Sequence, residues 1–308
     1  MIKILDVLLD SLLDAAKIFP IIFLVYVLIE FLESRESSHE RLQKIFGSRF
    51  SPVFGAGVGI IPQCGFSVVA TRLYQDGFLL TGTLIAVYIA TSDEALPILF
   101  SEAVTNPKVF IHVGLLIAIK FVYAVIAGFI INLFCKKQPT PVIDETNFKH
   151  EDELDGDGCC HHHITSERPT FKQLLLHPLI HSLKIILYIF AINILFGTLV
   201  YLIGEDNIKG FLASSVYLQP LLSTLVGLIP NCASSVIITE IYSEGYLTLG
   251  AAIAGLSINC GIGMAVLLRD KDHVGRSLLI IGLMLILSLA IGYGITGIGV
   301  LIDNPMMI

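Results

Sequence analysis

Two short stretches of this chain carry the same potential ligands at the same spacing. The first is Pro62-Gln63-Cys64, running on to Ser67. The second is Pro230-Asn231-Cys232, running on to Ser235. They lie 168 positions apart (230 − 62 = 168), and the match continues through Val68/Val236, Thr71/Thr239, Tyr74/Tyr242 and Gly77/Gly245. Both prolines interrupt apolar runs. Proline has no N–H and breaks the helical ladder, which frees carbonyl oxygens. The side-chain amides of Gln63 and Asn231 and the hydroxyls of Ser67 and Ser235 add oxygen acceptors and N–H donors. Cys64 and Cys232 add soft sulfur, suited to As(III), Cu(I) or Zn(II). A lone buried cysteine is more often a small apolar filler. Its recurrence at matching positions of two halves favours ligation.

A second pair of stretches follows at the same shift. Ala90-Thr91-Ser92-Asp93-Glu94-Ala95 is matched by Ile258-Asn259-Cys260-Gly261-Ile262-Gly263. Both insert polar residues into an apolar span, so each half is expected to hold a hairpin and a broken span, with the four tips converging. Thr91, Ser92, Asn259 and Cys260 join the candidate substrate site on this ground. Asp93 and Glu94 have no acidic counterparts, since Gly261 and Ile262 stand at plus 168. Carboxylates within a span are costly and functional by default. One of the two is expected to be the coupling group, taking up H⁺ or Na⁺. The plainer alternative puts them near the end of the span, facing water.

Further polar groups are less sharply placed. Cys159-Cys160-His161-His162-His163 stands in an acidic loop, residues 135–172. By composition this tract is a soft metal binder, without the paired spacing of a structural zinc site. It is expected to capture metal on the cytoplasmic side; a solvated linker is the alternative. At a shift of 167, Asp10, Asp14 and Lys17 align with His177, His181 and Lys184. Interfacial snorkelling explains these more simply than a proton relay.

The elements that must position these groups are membrane spans. The chain is 55% hydrophobic and 15% charged, with a mean hydropathy of +0.81. That excludes an ordinary soluble domain and a disordered one. Apolar runs of spanning length appear near 15–32, 78–100, 108–134, 183–203, 246–268 and 277–302. Two more, 52–75 and 214–242, carry the Pro-x-Cys motif. The first six residues lack the basic region of a signal peptide, so 1–32 is read as one retained helix. The formal net charge is −7, and much of the acidity lies in the loop, with Asp144, Glu145, Glu151, Asp152, Glu153, Asp155, Asp157 and Glu167. No basic face suits nucleic acid.

Lys and Arg cluster in three segments. Arg35, Arg41, Lys44 and Arg49 fall in 33–52. Lys136, Lys137, Lys149, Arg168 and Lys172 lie in or beside the central loop. Arg269, Lys271 and Arg276 fall in 269–276. All three should be cytoplasmic. Three full crossings between 52 and 135 would put the first two on opposite sides. The conflict vanishes if 52–75, and likewise 214–242, enters and returns as a re-entrant hairpin, with non-helical turns expected at 62–65 and 230–233. The expected fold is therefore an all-α polytopic membrane protein of two inverted repeats. Each repeat holds three spanning helices plus one re-entrant helical hairpin. The divisions are 1–134 for the first repeat, 135–172 for the cytoplasmic loop and 173–308 for the second repeat. Eight plain spans in a parallel repeat would violate the charge rule.

Pro62 to Ser67, its echo at 230–235 and the acidic, His-rich loop resemble the arsenic efflux or ten-helix heavy-metal exporter family of bacterial membrane proteins. The resemblance implies export of a thiophilic metal or metalloid. The expected function is thus secondary active transport across the cytoplasmic membrane, driven by H⁺ or Na⁺. No nucleotide-binding loop of the Gly-x-x-x-x-Gly-Lys type is present. Proton-coupled transport of a small organic anion is the alternative. A membrane-embedded metalloenzyme is a weaker one, for no His-Glu-x-x-His occurs. The chain is not expected to be an enzyme or to carry a cofactor. Its expected partners are the lipid bilayer, a metal ion as substrate and the coupling ion. Self-association, substrate identity and direction stay open at this point.

Overall fold

The computed structural model describes residues 50–63, 65–92, 95–105, 109–135, 215–269 and 274–302, with isolated positions elsewhere. Among the described residues all regular structure is helical. The first group holds α1 (Ser51–Gly59), α2 (Gly65–Gln75), α3 (Thr81–Ala90), α4 (Ala95–Thr105) and α5 (Val109–Phe134). The second holds α6 (Gln219–Gly227), α7 (Cys232–Ser243), α8 (Leu249–Ile258), α9 (Ile262–Leu268) and α10 (Val274–Ile302). The shift of 168 carries α1 onto α6 and α3 onto α8 without remainder (51 + 168 = 219; 90 + 168 = 258).

Local chemistry sets these bounds. Pro52 and Pro220 open α1 and α6 in the first turn, where the missing N–H costs nothing. Both helices end at a glycine, three residues before the next proline. The turn over that proline is the same in both copies. Gln63 N donates to Ile61 O at 2.8 Å, and Asn231 N to Ile229 O at 2.8 Å. This three-residue turn closes each tip. Gly77 and Gly245 close α2 and α7 at φ of 79° and 80°. There Phe78 N reaches Leu73 O and Tyr246 N reaches Ile241 O. That pattern is a left-handed helix stop, which only glycine adopts freely.

The direction of each helix follows from its contacts. Ser51 Oγ meets Thr83 Oγ1 at 2.6 Å, while Gly59 abuts Val87, Ala90 and Thr91. So α1 runs alongside α3 in the same sense. Thr71 Oγ1 meets Tyr88 OH at 2.6 Å, and Tyr74 lies beside Thr81. So α2 runs against α3, and the chain reverses between α1 and α2. The second group repeats this. Gln219 bonds Thr248 and Gly227 abuts Gly255 and Ile258, whereas Ser234 bonds Asn259 and Ile238 lies against Gly255. The expectation of interrupted segments that turn back thus matches the backbone. The non-helical residues are 60–63 and 228–231, slightly earlier than the expected 62–65 and 230–233, and Cys232 already opens α7.

The centre of the molecule is formed by α3 and α8. Leu84 to Ala90 are each 3% exposed or less, and all of α8 is buried. Outside them lie α5 and α10. Asn132 Oδ1 accepts from Gly82 N at 2.9 Å near one end of α5, and Thr296 abuts Gly250 on α10. Each outer helix shows a stripe of exposed apolar side chains, including Val122, Ile126, Ile130 and Leu133 on α5. That i, i+4, i+8 stripe calls for hydrocarbon rather than water. Among the described residues, three stretches are long and apolar enough to cross a membrane: Thr81–Ser101, Phe110–Phe134 and Val274–Val300. The pair α8–α9, bent by 40°, makes a fourth if counted as one span.

Candidate functional site

The two groups interlock through their breaks. Thr71 Oγ1, on α2, and Tyr88 OH, on α3, each lie 3.2 Å from Gly263 O. The Ser67 backbone lies so close to Gly263 that a Cβ there would come within 2.9 Å of it. Gln75 Nε2 reaches Val266 O at 3.4 Å. The first group's α2 therefore lies along the second group's α9, in the same direction. Reciprocally, Ala95, Leu96 and Leu99 of α4 share a core with Ile237, Ile238 and Ile241 of α7. His112 Nδ1 and Tyr242 OH meet at 2.8 Å between α5 and α7.

Asn259 organises the second break. Its side-chain N–H donates to Ser234 Oγ at 2.7 Å and to Asn231 O at 3.3 Å. Its Oδ1 accepts from Gly261 N at 2.9 Å. Gly261 has φ of 57° and ψ of −141°, a conformation essentially limited to glycine. Asn231 in turn caps α7, accepting from Ala233 N at 3.2 Å. Cys232 is a free thiol, 6% exposed, at the first position of that helix. Ser235 donates to Cys232 O at 2.8 Å. Cys260, also a thiol, is fully buried in a core that includes Ile89 of α3. The structure thus joins Asn231, Cys232, Ser235 and Asn259 in one neighbourhood.

The first break has a different organiser. Lys120, on α5, is 1% exposed. Its Nζ donates to Thr91 O at 2.5 Å, to Ser92 Oγ at 2.8 Å and to Leu256 O at 2.9 Å. Thr91 and Ser92 are buried, and Gln63 is half-buried at its tip. Sequence reasoning missed Lys120, although the signal was there. It is the lone Lys or Arg in a 26-residue apolar helix, and such a residue marks function by default.

Cys64, Asp93, Glu94, Cys159, Cys160, His161, His162 and His163 lie outside the described residues, as do Asp14 and His181. The pairing of Cys64 with Cys232 and the place of the coupling carboxylates are therefore not among the contacts above. Among the described residues no three His, Cys, Asp or Glu side chains gather to hold a metal.

One comparison decides the family. The profile described as "Putative, 10TM heavy-metal exporter" (ArsP_2) matches residues 2–200. The chain belongs to this 10TM heavy-metal exporter family. No curated protein and no solved structure matches it. The matched residues include the first Pro-x-Cys tip, the first broken span and Lys120. The second tip, at 228–231, falls beyond residue 200. Membership makes this a multi-pass membrane protein of a transporter family, in keeping with its apolar helices. The family description names an exporter and not an enzyme.

Proposed function

We propose that the chain is a secondary active exporter of a thiophilic metal or metalloid ion, working by alternating access between two inverted halves. The observation that carries this is helix direction. Because α9 runs with α2, and α2 against α3, the bent span α8–α9 runs opposite to α3. A two-fold axis lying across the helices fits that exchange, as expected for inverted repeats 1–134 and 173–308. The two tips then approach the midplane from opposite faces as re-entrant hairpins.

In this reading Cys64 and Cys232 supply soft sulfur to the passing ion. Gln63, Ser67, Thr91, Ser92, Asn231, Ser235, Asn259 and Cys260 line its path. Asp93 or Glu94 couples its movement to H⁺ or Na⁺. The tract Cys159 to His163 gathers metal at the cytoplasmic mouth. Interrupted helices favour this assignment because irregular backbone survives at membrane depth only where protein or a cavity surrounds it.

Proteoliposomes containing the purified protein test the reading. Arsenite, Cu(I) or Zn(II) flux should appear under an imposed H⁺ or Na⁺ gradient and vanish when the gradient is collapsed. Cys64→Ser and Cys232→Ser should each lower that flux about tenfold, since a hydroxyl is a poor ligand for a soft ion. Flux of small carboxylates instead, unaltered in the double variant, would replace this reading with the organic-anion one.

A further inference from the structure

The Lys120 ammonium sits where two helices end. Thr91 is the C-cap of α3. Leu256 lies in the last turn of α8, whose C-cap is Asn259. The breaks themselves release these carbonyls. Past α8, Cys260 N turns back to Ile258 O, which leaves Leu256 O for another donor. Thr91 leaves the helix at ψ of 131°, so its carbonyl also points away from the ladder. Carbonyls at helix C-termini carry the negative end of the macrodipole. Two such ends, one from each half, meet at a single buried cation. In transporters with interrupted helices, unwound carbonyls and half-helix C-termini are the groups that bind Na⁺.

We propose that Thr91 O, Ser92 Oγ and Leu256 O form a monovalent-cation site, filled in this chain by the tethered ammonium of Lys120. The ammonium ties α5 to the ends of both α3 and α8. It supplies, from a side chain, the charge that a diffusible ion would otherwise bring. Among the described residues the second group has no equivalent cation. The shift of 164 that brings Gly128 onto Gly292 and Asn132 onto Thr296 places Met284 at the position of Lys120 (120 + 164 = 284). Met284 is buried.

Removing the side chain should then expose a site for a small free cation. The test is thermal melting of the purified, detergent-solubilised full chain at fixed ionic strength, in NaCl, methylammonium chloride or choline chloride. The wild type should melt at one temperature in methylammonium and choline, and any shift that a coupling Na⁺ brings in NaCl should be smaller than the variant's. Lys120→Ala should melt roughly 5–10 °C lower in choline, because buried acceptors lose their charged partner. Na⁺ or methylammonium should restore the loss saturably, and adding Ser92→Ala should weaken that recovery.

Three results would overturn the proposal. Lys120→Ala could melt like the wild type in choline. It could lose the same amount in all three salts. The wild type could show the same selective response to methylammonium, placing the cation elsewhere. Should Lys120→Ala not purify from choline, extraction in methylammonium decides the matter: recovery there supports the site, and recovery in neither salt overturns it. Melting requires no transport, so failure here leaves the export reading standing, and failed metal flux leaves this site standing.

Discussion

At the first tip Ile61 and Pro62 are exposed and Gln63 is half-buried; at the second, Pro230, Asn231 and Cys232 are all buried. The backbone at the two tips is nevertheless the same, hydrogen bond for hydrogen bond, through Phe66 N to Gln63 O and Ser234 N to Asn231 O. The difference lies in what surrounds each turn. Asn259 reaches over to hold the second tip by its own side chain and carbonyl. At the matching place in the first half stands Thr91, whose hydroxyl bonds back to Val87 O. In the transport cycle proposed above, equal turns in unequal surroundings would suit a state open toward one side. The scaffold must be symmetric for two states to exchange. The side chains must differ for one state to be preferred and for charge to reside in one half.

The largest effect should come from removing the close approach that seats α2. Gly263→Val places a side chain 2.9 Å from the Ser67 backbone. Backbone cannot yield as a flexible side chain can, and a cost of about 3 kcal/mol follows. Little folded protein should survive size-exclusion of a fluorescent fusion. Gly57→Val, with no atom within 4 Å of its Cβ, should elute like the wild type. Equal yields would mean that α2 need not rest on α9.

Asp93→Asn and Glu94→Gln probe the charge asymmetry. Amides keep the shape but cannot cycle a proton. At least one variant should lose gradient-driven flux by roughly a hundredfold, the scale of a missing proton-transfer group. Binding of the metal, followed by calorimetry, should stay within a few-fold. Normal flux in both variants would move coupling elsewhere, with Asp14 and His181 next.

Thiol labelling sharpens the comparison of tips. Cys64 follows the exposed turn, and Cys232 is 6% exposed. In intact membranes Cys64 should react with a small maleimide about ten times faster than Cys232, by analogy with thiols that differ in access. Metal under a gradient should narrow that ratio as the halves exchange. A ratio near one from the start would remove the one-sided reading. The smallest effect belongs to the loop. Deleting 150–166 removes Cys159, Cys160, His161, His162 and His163 but no apolar span. Loop shortening has little entropic consequence, so maximal flux should hold and apparent affinity should fall only about threefold. A lower maximal rate would make the segment structural.

The breaks were legible because Pro, Gly and polar residues are costly inside an apolar run unless the helix is interrupted there. Their exact start was not. Pro62 disfavours helix at the residue before it as well as denying a donor, so the turn begins at Ile60 and not at Pro62. Asn231 serves as a cap, so Cys232 is helical where a turn was expected. Lys120 escaped notice for another reason. Its partners lie 28 and 136 positions away along the chain. No spacing rule connects a lysine on one helix with carbonyls that only a distant break sets free. The inverted sense of the two halves is an expectation from the Lys and Arg count, and it stands as part of the proposed function.

The seat of α2 against α9 also bears on how the chain is made. Thr71 and Gly263 are 192 positions apart. At synthesis rates of about 5–20 residues per second, the first hairpin waits roughly 10–40 s for its partner. During that time α1 and α2, of 9 and 11 residues, are each too short to cross a bilayer alone. The growing chain must therefore hold an unfinished polar wedge near the membrane surface until its last quarter arrives. Biogenesis, more than the stability of the finished protein, is the stage at which this architecture is most exposed to misassembly.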